Sequence, residues 1–129
     1  MNVRTFFLST VLCMGILISH AQNYTKSGNF ITINVQNRTA DGPQLVRLQV
    51  MNDKIIRVEA THDTVFPQKQ SLIIVPQTSF NNFEVNEEDQ KVVVKTADVK
   101  AVVDVSTGRV TFYDKAGRIL LNETKEKGK

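Results

Sequence analysis

The chain has 129 residues and a formal net charge of +3 at pH 7, with lysines and arginines scattered among acidic residues. This length allows one small domain with a modest core. The nearly neutral balance, without a basic tract, argues against nucleic acid or a membrane surface as a partner. The single cysteine, Cys13, lies in a segment that we expect to be removed, so we expect neither a disulfide nor thiol chemistry in the mature domain.

The N-terminal segment has the features of a secretory signal peptide. Arg4 supplies a positive charge, and Phe6 to Ile18 is an uncharged, mostly apolar run that is too short to span a bilayer as a helix of about 20 residues. In Ser19-His20-Ala21, Ser19 and Ala21 are small residues at the positions that a signal peptidase recognises. We therefore predict cleavage after Ala21 and export to the periplasm or the medium.

Two alternatives to cleavage are weaker. An uncleaved membrane anchor conflicts with the short apolar run, and lipidation of Cys13 conflicts with Leu12, which stands where a small residue is needed. The predicted organisation is a signal peptide at 1–21 and one domain at 22–129. No membrane contact is expected after cleavage.

The mature region alternates apolar and polar residues almost throughout, which is typical of strands with one face on a core. In chain order the expected strands are 30–36, 45–51, 55–61, 72–75, 83–85, 91–96, 99–105, 109–113 and 118–122. They are short, they recur about every ten residues, and no segment has helical periodicity. The pattern predicts an all-β fold, an antiparallel β-sandwich or barrel with mostly meander connections.

The turns between these strands are marked by polar residues and glycine. Asn52-Asp53 is expected to close a tight hairpin with positive φ at Asn52, and Glu87-Glu88-Asp89 to form a charged turn. Thr107-Gly108 is expected to turn the chain into the next strand. In the Asp114 to Gly117 turn, Gly117 is expected to supply a positive φ.

Residues able to carry catalysis are few in this sequence. The mature region has one histidine, His62, in an expected loop, so neither a metal site nor a Ser/His/Asp triad is supported, and no cofactor is expected. The adjacent carboxylates at 87–89 are expected to be a solvated cluster. Asp104 and Asp114 are expected to accept hydrogen bonds within turns. No catalytic and no metal-binding residue is therefore assigned.

Carbohydrate recognition by stacking requires exposed aromatic rings, and tryptophan is absent. Tyr113 is in phase with Arg109 and Thr111, so it should face outward while Val110 and Phe112 face the core. Tyr113 is the one weak candidate for a carbohydrate contact. As an ordinary strand residue it needs no special explanation.

The order of segments resembles a known family. "VRLQV…DKIIRV", "SLIIV" followed by Pro76, and "TGRVTFYDKAGRILL" resemble the N-terminal β-sandwich region of secreted bacterial glycoside hydrolases of family 31, the α-glucosidase and α-xylosidase family. The resemblance covers about Ile31 to Glu123. It contains no catalytic motif and rests on pattern and order.

This resemblance implies a galactose-mutarotase-like sandwich preceding a (β/α)8 barrel of the same polypeptide. The barrel would supply two aspartates for retaining hydrolysis of an α-glycoside. This chain contains no barrel, so the expected role is a non-catalytic accessory domain, inactive alone and truncated relative to the family. Two alternatives are a free-standing module that binds α-linked oligosaccharides and a structural or adhesive envelope sandwich.

Overall fold

The computed structural model describes residues 22–37, 40–67 and 80–123. Within them the chain forms nine strands and no helix: β1 (Tyr24–Ser27), β2 (Phe30–Asn34), β3 (Leu45–Val50), β4 (Ile56–Thr61), β5 (Glu84–Glu88), β6 (Lys91–Lys95), β7 (Val99–Asp104), β8 (Val110–Asp114) and β9 (Ile119–Asn122). These residues include no helix long and apolar enough to cross a membrane. The predicted signal peptide and the expected strand at 72–75 lie outside the described residues.

The strands form two antiparallel sheets, and each is a simple meander. The first sheet has the order β1-β2-β3-β4, and the second has the order β5-β6-β7-β8-β9. Both sheets contribute to one hydrophobic core, which defines a β-sandwich. The predicted all-β fold with meander connections is confirmed.

The core contains the apolar residues that the alternation placed inward. Buried members from the first sheet are Ile31, Ile33, Val35, Val46, Leu48 and Val50, and those from the second are Val92, Val94, Ala101, Val103, Val105 and Val110. Burial of these branched aliphatic side chains is the main stabilising term, at about 1.5–3 kcal/mol for each one fully buried. The period-two pattern therefore predicted which face of each inner strand is buried.

One strand was not predicted, and another is longer than predicted. In β1 only Tyr24 is apolar, so its sequence "YTKS" shows no alternation, and it forms because it pairs with β2 from Tyr24↔Ile33 to Ser27↔Phe30. β5 continues through Glu87 and Glu88, which were expected in a turn. The prediction of a charged turn at 87–89 was wrong at these two positions.

The chain reverses instead at Asp89 and Gln90, whose φ angles are 49° and 59°. Two successive residues with positive φ give a hairpin turn whose twist matches that of the flanking strands. Glu87 remains in the strand because it pairs with buried Val92 and its carboxylate accepts a hydrogen bond from Asn23, the residue before the first strand of the other sheet. Charge alone was therefore a poor guide to the position of this turn.

The β3–β4 hairpin has the predicted pairing but a different turn. Asn52 is not among the residues with positive φ; its side-chain oxygen accepts hydrogen bonds from the backbone N–H groups of Lys54 and Ile55, each at 2.9 Å. The turn is closed by the N–H of Met51, which donates to the Ile55 carbonyl at 2.9 Å. Asn52 thus stabilises a longer loop through its side chain.

The two sheets are joined by hydrogen bonds at both ends of the sandwich. At one end the N–H of Gln36 donates to the Val105 carbonyl at 2.9 Å. At the other end the Thr96 hydroxyl donates to the carbonyl of Asp53 at 2.6 Å. These bonds satisfy polar groups of the loops that leave the sheets, as buried backbone groups require.

Candidate functional site

Asp104 and Asp114 have the structural roles that their positions predicted. Asp104 ends β7 and accepts hydrogen bonds from the N–H groups of Ser106 (2.8 Å) and Thr107 (3.0 Å) and from the Ser106 hydroxyl. Burial raises the pKa of Asp104, but these hydrogen bonds outweigh it and hold the pKa below its ordinary value. Asp104 is therefore a carboxylate that stabilises a turn.

Asp114 stabilises the β8–β9 turn in the same way. Its carboxylate accepts hydrogen bonds from the backbone N–H of Arg118 at 2.9 Å and from the Arg118 guanidinium at 2.7 Å. Together these bonds hold the pKa of Asp114 below its ordinary value, and the bond from the backbone N–H has the largest effect. Gly117 has φ of 82°, as predicted for this turn. Asp104 and Asp114 are bound within separate turns and do not form a pair that could act on one bond.

His62 is exposed in the loop after β4. Its Nδ1 lies 2.9 Å from the carbonyl oxygen of Gly42. Across residues 22–37, 40–67 and 80–123, no group of three or more His, Cys, Asp or Glu side chains could hold a metal ion. His62 therefore joins two loops and belongs to no such group among the described residues.

Tyr113 faces outward from the second sheet, in the predicted direction. It is half-buried on β8, pairs with Lys100 of β7, and the Lys100 ammonium lies 4.5 Å from the centre of its ring. Its neighbour Phe112 packs against the core. The cation–π contact occupies part of one ring face, which reduces the area that a sugar could use for stacking.

A polar groove of about 180 Å³ runs beside Tyr113 across the outer face of the second sheet. The Thr111 hydroxyl and the Asn122 side-chain oxygen lie 2.9 Å apart in it. The other side chains of its lining are Lys91, Val102, Asp104, Arg109 and Glu123. Hydroxyl, amide and guanidinium groups next to an aromatic ring are the groups that contact sugars, so Tyr113 remains a prediction for a carbohydrate contact.

A cluster that sequence reasoning did not find lies on the outer face of the first sheet. The Arg47 guanidinium is 5.3 Å from the centre of the Phe30 ring and 4.2 Å from that of Phe66. Its Nε donates to the Glu59 carboxylate at 2.7 Å. Arg57 binds the other oxygen of Glu59 at 2.6 Å. The cross-strand pairing of Arg47 with Glu59 follows from the hairpin register, whereas the contact with Phe66 depends on the loop after β4.

A further groove, of about 600 Å³, lies where the residues before β1 meet the β5–β6 hairpin. Glu87 accepts a hydrogen bond from the Asn23 N–H at 3.0 Å, and the Gln36 side chain donates to the Asn23 side-chain oxygen at 2.8 Å. The carboxylate of Glu87 is therefore engaged in joining the sheets. No arrangement in the described residues combines a nucleophile, a base and a pocket.

The fold and these sites together define a β-sandwich domain in which Asp104 and Asp114 serve its own turns and Glu87 a contact between the sheets. Residues 45–129 match the family described as the glycosyl hydrolase 31 N-terminal galactose mutarotase-like domain. The chain belongs to this family. It is a non-catalytic accessory domain of the kind found in family 31 glycosidases, as the resemblance implied.

Solved structures of family 31 enzymes contain a similar domain. The chain is 34% identical to the α-xylosidase from Xanthomonas citri over 77% of its own length, with a TM-score of 0.66, and it spans 10% of that enzyme. An α-xylosidase from a soil metagenome, complexed with xylose, is 20% identical over 79% of the chain, with a TM-score of 0.61, and the chain spans 14% of it. The chain thus covers about a tenth of the length of the enzymes that it matches.

A third similar structure is the cycloalternan-forming enzyme from Listeria monocytogenes in complex with a pentasaccharide substrate. It is 19% identical over 79% of the chain, with a TM-score of 0.57, and the chain spans 9% of it. At this identity the likeness establishes the fold alone.

Proposed function

We propose that this chain is the N-terminal accessory part of an exported family 31 α-glycosidase, in which a (β/α)8 barrel of the same polypeptide performs the hydrolysis. The observation that supports this proposal most directly is the family match over residues 45–129, together with 34% identity to an α-xylosidase. In such an enzyme the sandwich supports the barrel and lends a loop to the rim of its active site. The substrate class is an α-xyloside or an α-glucoside.

The arrangement of carboxylates in this domain agrees with catalysis by the barrel. Retaining hydrolysis needs two carboxyl groups about 5–5.5 Å apart across one glycosidic bond. Asp104 and Asp114 are each bound in a turn of their own, and Glu87 is bound to Asn23. Catalysis is therefore assigned to the barrel, and this domain carries no step of the reaction.

The experiment that tests the proposal is to sequence the gene beyond the codon for Lys129. We expect an in-frame continuation that encodes further strands and a barrel with two catalytic aspartates. The full-length product should hydrolyse 4-nitrophenyl α-xyloside or α-glucoside with retention of anomeric configuration. A stop codon followed by unrelated sequence would exclude this function for the expressed product.

Export is a separate part of the proposal and has its own test. The charge at Arg4, the apolar run that follows and the small residues up to Ala21 support it. Mass spectrometry of the protein from the periplasm or medium should show Gln22 as the first residue. Recovery of an uncleaved chain from the cytoplasm would contradict it.

A further inference from the structure

Three lysines lie at one end of the second sheet, where the β6–β7 turn and the β8–β9 turn are neighbours. Lys95 ends β6, Lys100 follows in β7, and Lys115 lies in the turn between β8 and β9. All three line a groove of about 240 Å³ that is formed by residues of both turns. Lys95 and Lys115 are exposed, and Lys100 is half-buried. We call this concave surface, lined by Lys95, Lys100 and Lys115, the lysine groove.

Two of these lysines face each other. Lys95 and Lys100 are directly opposite in the β6–β7 pair, and both point outward because the next pair along, Val94 with Ala101, is buried. Like charges at opposite positions of a strand pair destabilise it. Among the described residues, no carboxylate forms an ion pair with any lysine of the groove. The repulsion is therefore not relieved by a salt bridge within this part of the chain.

The carboxylates of the lining do not balance the three positive charges. Asp98 and Asp114 also line the groove, but the guanidinium of Arg118 binds the Asp114 carboxylate at 2.7 Å. Glu84, which pairs with Lys95 on the β5 side, is not part of the lining. Asp98 is thus left against three ammonium groups, and the groove has an excess of positive charge that attracts anions.

Tyr113, the carbohydrate candidate from the sequence, adjoins the lysine groove. It pairs with Lys100, whose ammonium lies 4.5 Å from the centre of its ring. On its other side Tyr113 lines the polar groove that contains Thr111 and Asn122. A ligand on this face can therefore place a sugar ring against the tyrosine and an anionic substituent against the ammonium groups.

We propose that this end of the second sheet binds an acidic saccharide, whose sugar ring packs against Tyr113 and whose carboxylates contact the lysine groove. The excess of positive charge selects an anionic ligand, and the aromatic ring beside hydroxyl and amide groups selects a saccharide over a simple anion. A bound carboxylate also relieves the repulsion between Lys95 and Lys100. This inference goes beyond the proposed function and does not depend on it, because the groove lies entirely within the described residues.

Isothermal titration calorimetry of the 129-residue chain at pH 7 tests the proposal. The ligands are α-linked trigalacturonate and its fully methyl-esterified form, which have the same sugar rings but differ in charge. Trigalacturonate should bind at least about tenfold more tightly, since each exposed charge contact contributes up to a few-fold. Its affinity should fall as sodium chloride is raised from about 50 mM to about 500 mM, because salt screens exposed charges.

Substitutions that change one charge locate the site. Lys95→Gln and Lys115→Gln should each weaken trigalacturonate binding about threefold. The control Arg57→Gln removes one positive charge from the outer face of the other sheet and should leave the affinity unchanged. Asp98→Asn should tighten binding about twofold, a gain that a misfolded variant cannot imitate.

Tyr113→Ala separates stacking from charge. It should weaken trigalacturonate binding about threefold and leave the salt dependence unchanged, because the ring contributes contact area and no charge. The lysine substitutions should instead reduce the salt dependence.

Three results would overturn the inference. One is equal affinity for trigalacturonate and its methyl ester. Another is an effect of Arg57→Gln as large as that of Lys95→Gln and Lys115→Gln. The third is a hexaglutamate peptide that binds as tightly as trigalacturonate and is unaffected by Tyr113→Ala, which would identify an acidic protein segment as the ligand. A gene that ends at Lys129 would exclude the proposed function, whereas trigalacturonate binding by the 129-residue chain would still support this inference.

Discussion

Glu87 of β5 accepts two hydrogen bonds from Asn23, one from its backbone N–H at 3.0 Å and one from its side-chain amide. The two residues are 64 positions apart in the chain, and their contact joins the residue before the first strand of one sheet to the first strand of the other. It is a hydrogen bond to a charged acceptor at the margin of the core, which makes it stronger than a bond between neutral groups.

Replacing this carboxylate should therefore destabilise the domain. Glu87→Ala leaves both Asn23 donors without their acceptor, and we expect a loss of about 1–3 kcal/mol in the free energy of unfolding, measured by urea denaturation. The control is Glu88→Ala, which removes an exposed carboxylate from the next position of the same strand. Its effect should stay within about 0.5 kcal/mol. Equal effects of the two substitutions would contradict the assigned role of Glu87.

Gly108 is expected to be intolerant of any side chain, for two separate reasons. Its φ is 74°, and an added Cβ would lie 2.9 Å from side-chain atoms of both Pro43 and Val35. Gly117 has φ of 82°, but an added Cβ there would meet nothing within 4 Å. Gly117→Ala should cost about 1–2 kcal/mol from the left-handed conformation alone. Gly108→Ala should cost about 1–3 kcal/mol more, because packed atoms must also move.

Thermal and urea unfolding of the two glycine variants measure this difference. Since both positions require positive φ, the excess cost at Gly108 isolates the contribution of close packing between the β7–β8 turn and the first sheet. A larger loss of unfolding free energy in Gly117→Ala than in Gly108→Ala would contradict the close packing of Pro43 and Val35 against Gly108.

Asp104 should make stability depend on pH in the acid range. Its pKa in the folded state is lowered below the ordinary value of 3.8, so the folded protein binds fewer protons than the unfolded chain at pH values around and below 4. The stability it contributes is present above the unfolded pKa and is lost as the pH falls through the lower folded pKa. Asp104→Asn should flatten the decline in unfolding free energy below pH 4.

The acid titration of Asp104→Asn is compared with that of Asp63→Asn, which changes an exposed loop carboxylate. Asp63→Asn should retain the decline of the natural sequence. If both variants retained it equally, the turn around Asp104 would not be a source of acid sensitivity. Asp114 has a pKa lowered in the same direction, so some decline should remain in Asp104→Asn.

Replacing Arg47 by lysine should lower the free energy of unfolding. Lysine keeps the charge but loses the planar group that contacts the Phe30 and Phe66 rings while binding Glu59. We expect Arg47→Lys to lose about 1–2 kcal/mol of unfolding free energy. Arg57→Lys, which alters the other ion pair of Glu59, should lose less than about 1 kcal/mol. An equal loss in both would show that stacking contributes nothing measurable.

The carbohydrate contact at Tyr113 gives a prediction that separates an accessory domain from a binding module. Isothermal titration of the 129-residue chain with α-linked xylo- and gluco-oligosaccharides should show, at most, weak binding that Tyr113→Ala abolishes. Thr25→Ala, an exposed change in β1 of the other sheet, serves as the control. Tight binding that survives Tyr113→Ala would point to a free-standing module with a different site.

The sequence predicted the fold well where alternation and burial agree. In β6 and β7 the buried residues Val92, Val94, Ala101 and Val103 stand at alternate positions, and these strands and their faces were found. β1 was missed because a strand with a single apolar residue forms through its partner, and the position of the β5–β6 turn was missed because Glu87 is satisfied from the other sheet. Contacts such as that of Arg47 with Phe66 depend on the path of a loop, and the alternation of apolar and polar residues does not determine that path. The absence of an assigned catalytic residue followed directly from the few candidate side chains.

Each sheet is built from one continuous stretch of chain, residues 24–61 for the first and residues 84–122 for the second. Hairpins between sequence neighbours form in microseconds and close short loops, so every strand pair within a sheet can form without waiting for distant chain. We expect the docking of the two meanders, which brings together residues far apart in the chain, to be the slower event. During synthesis the described strands of the first sheet, β1 to β4, emerge from the ribosome before β5 to β9. We therefore expect the apolar face of the first sheet to stay exposed until β6 and β7 can cover it.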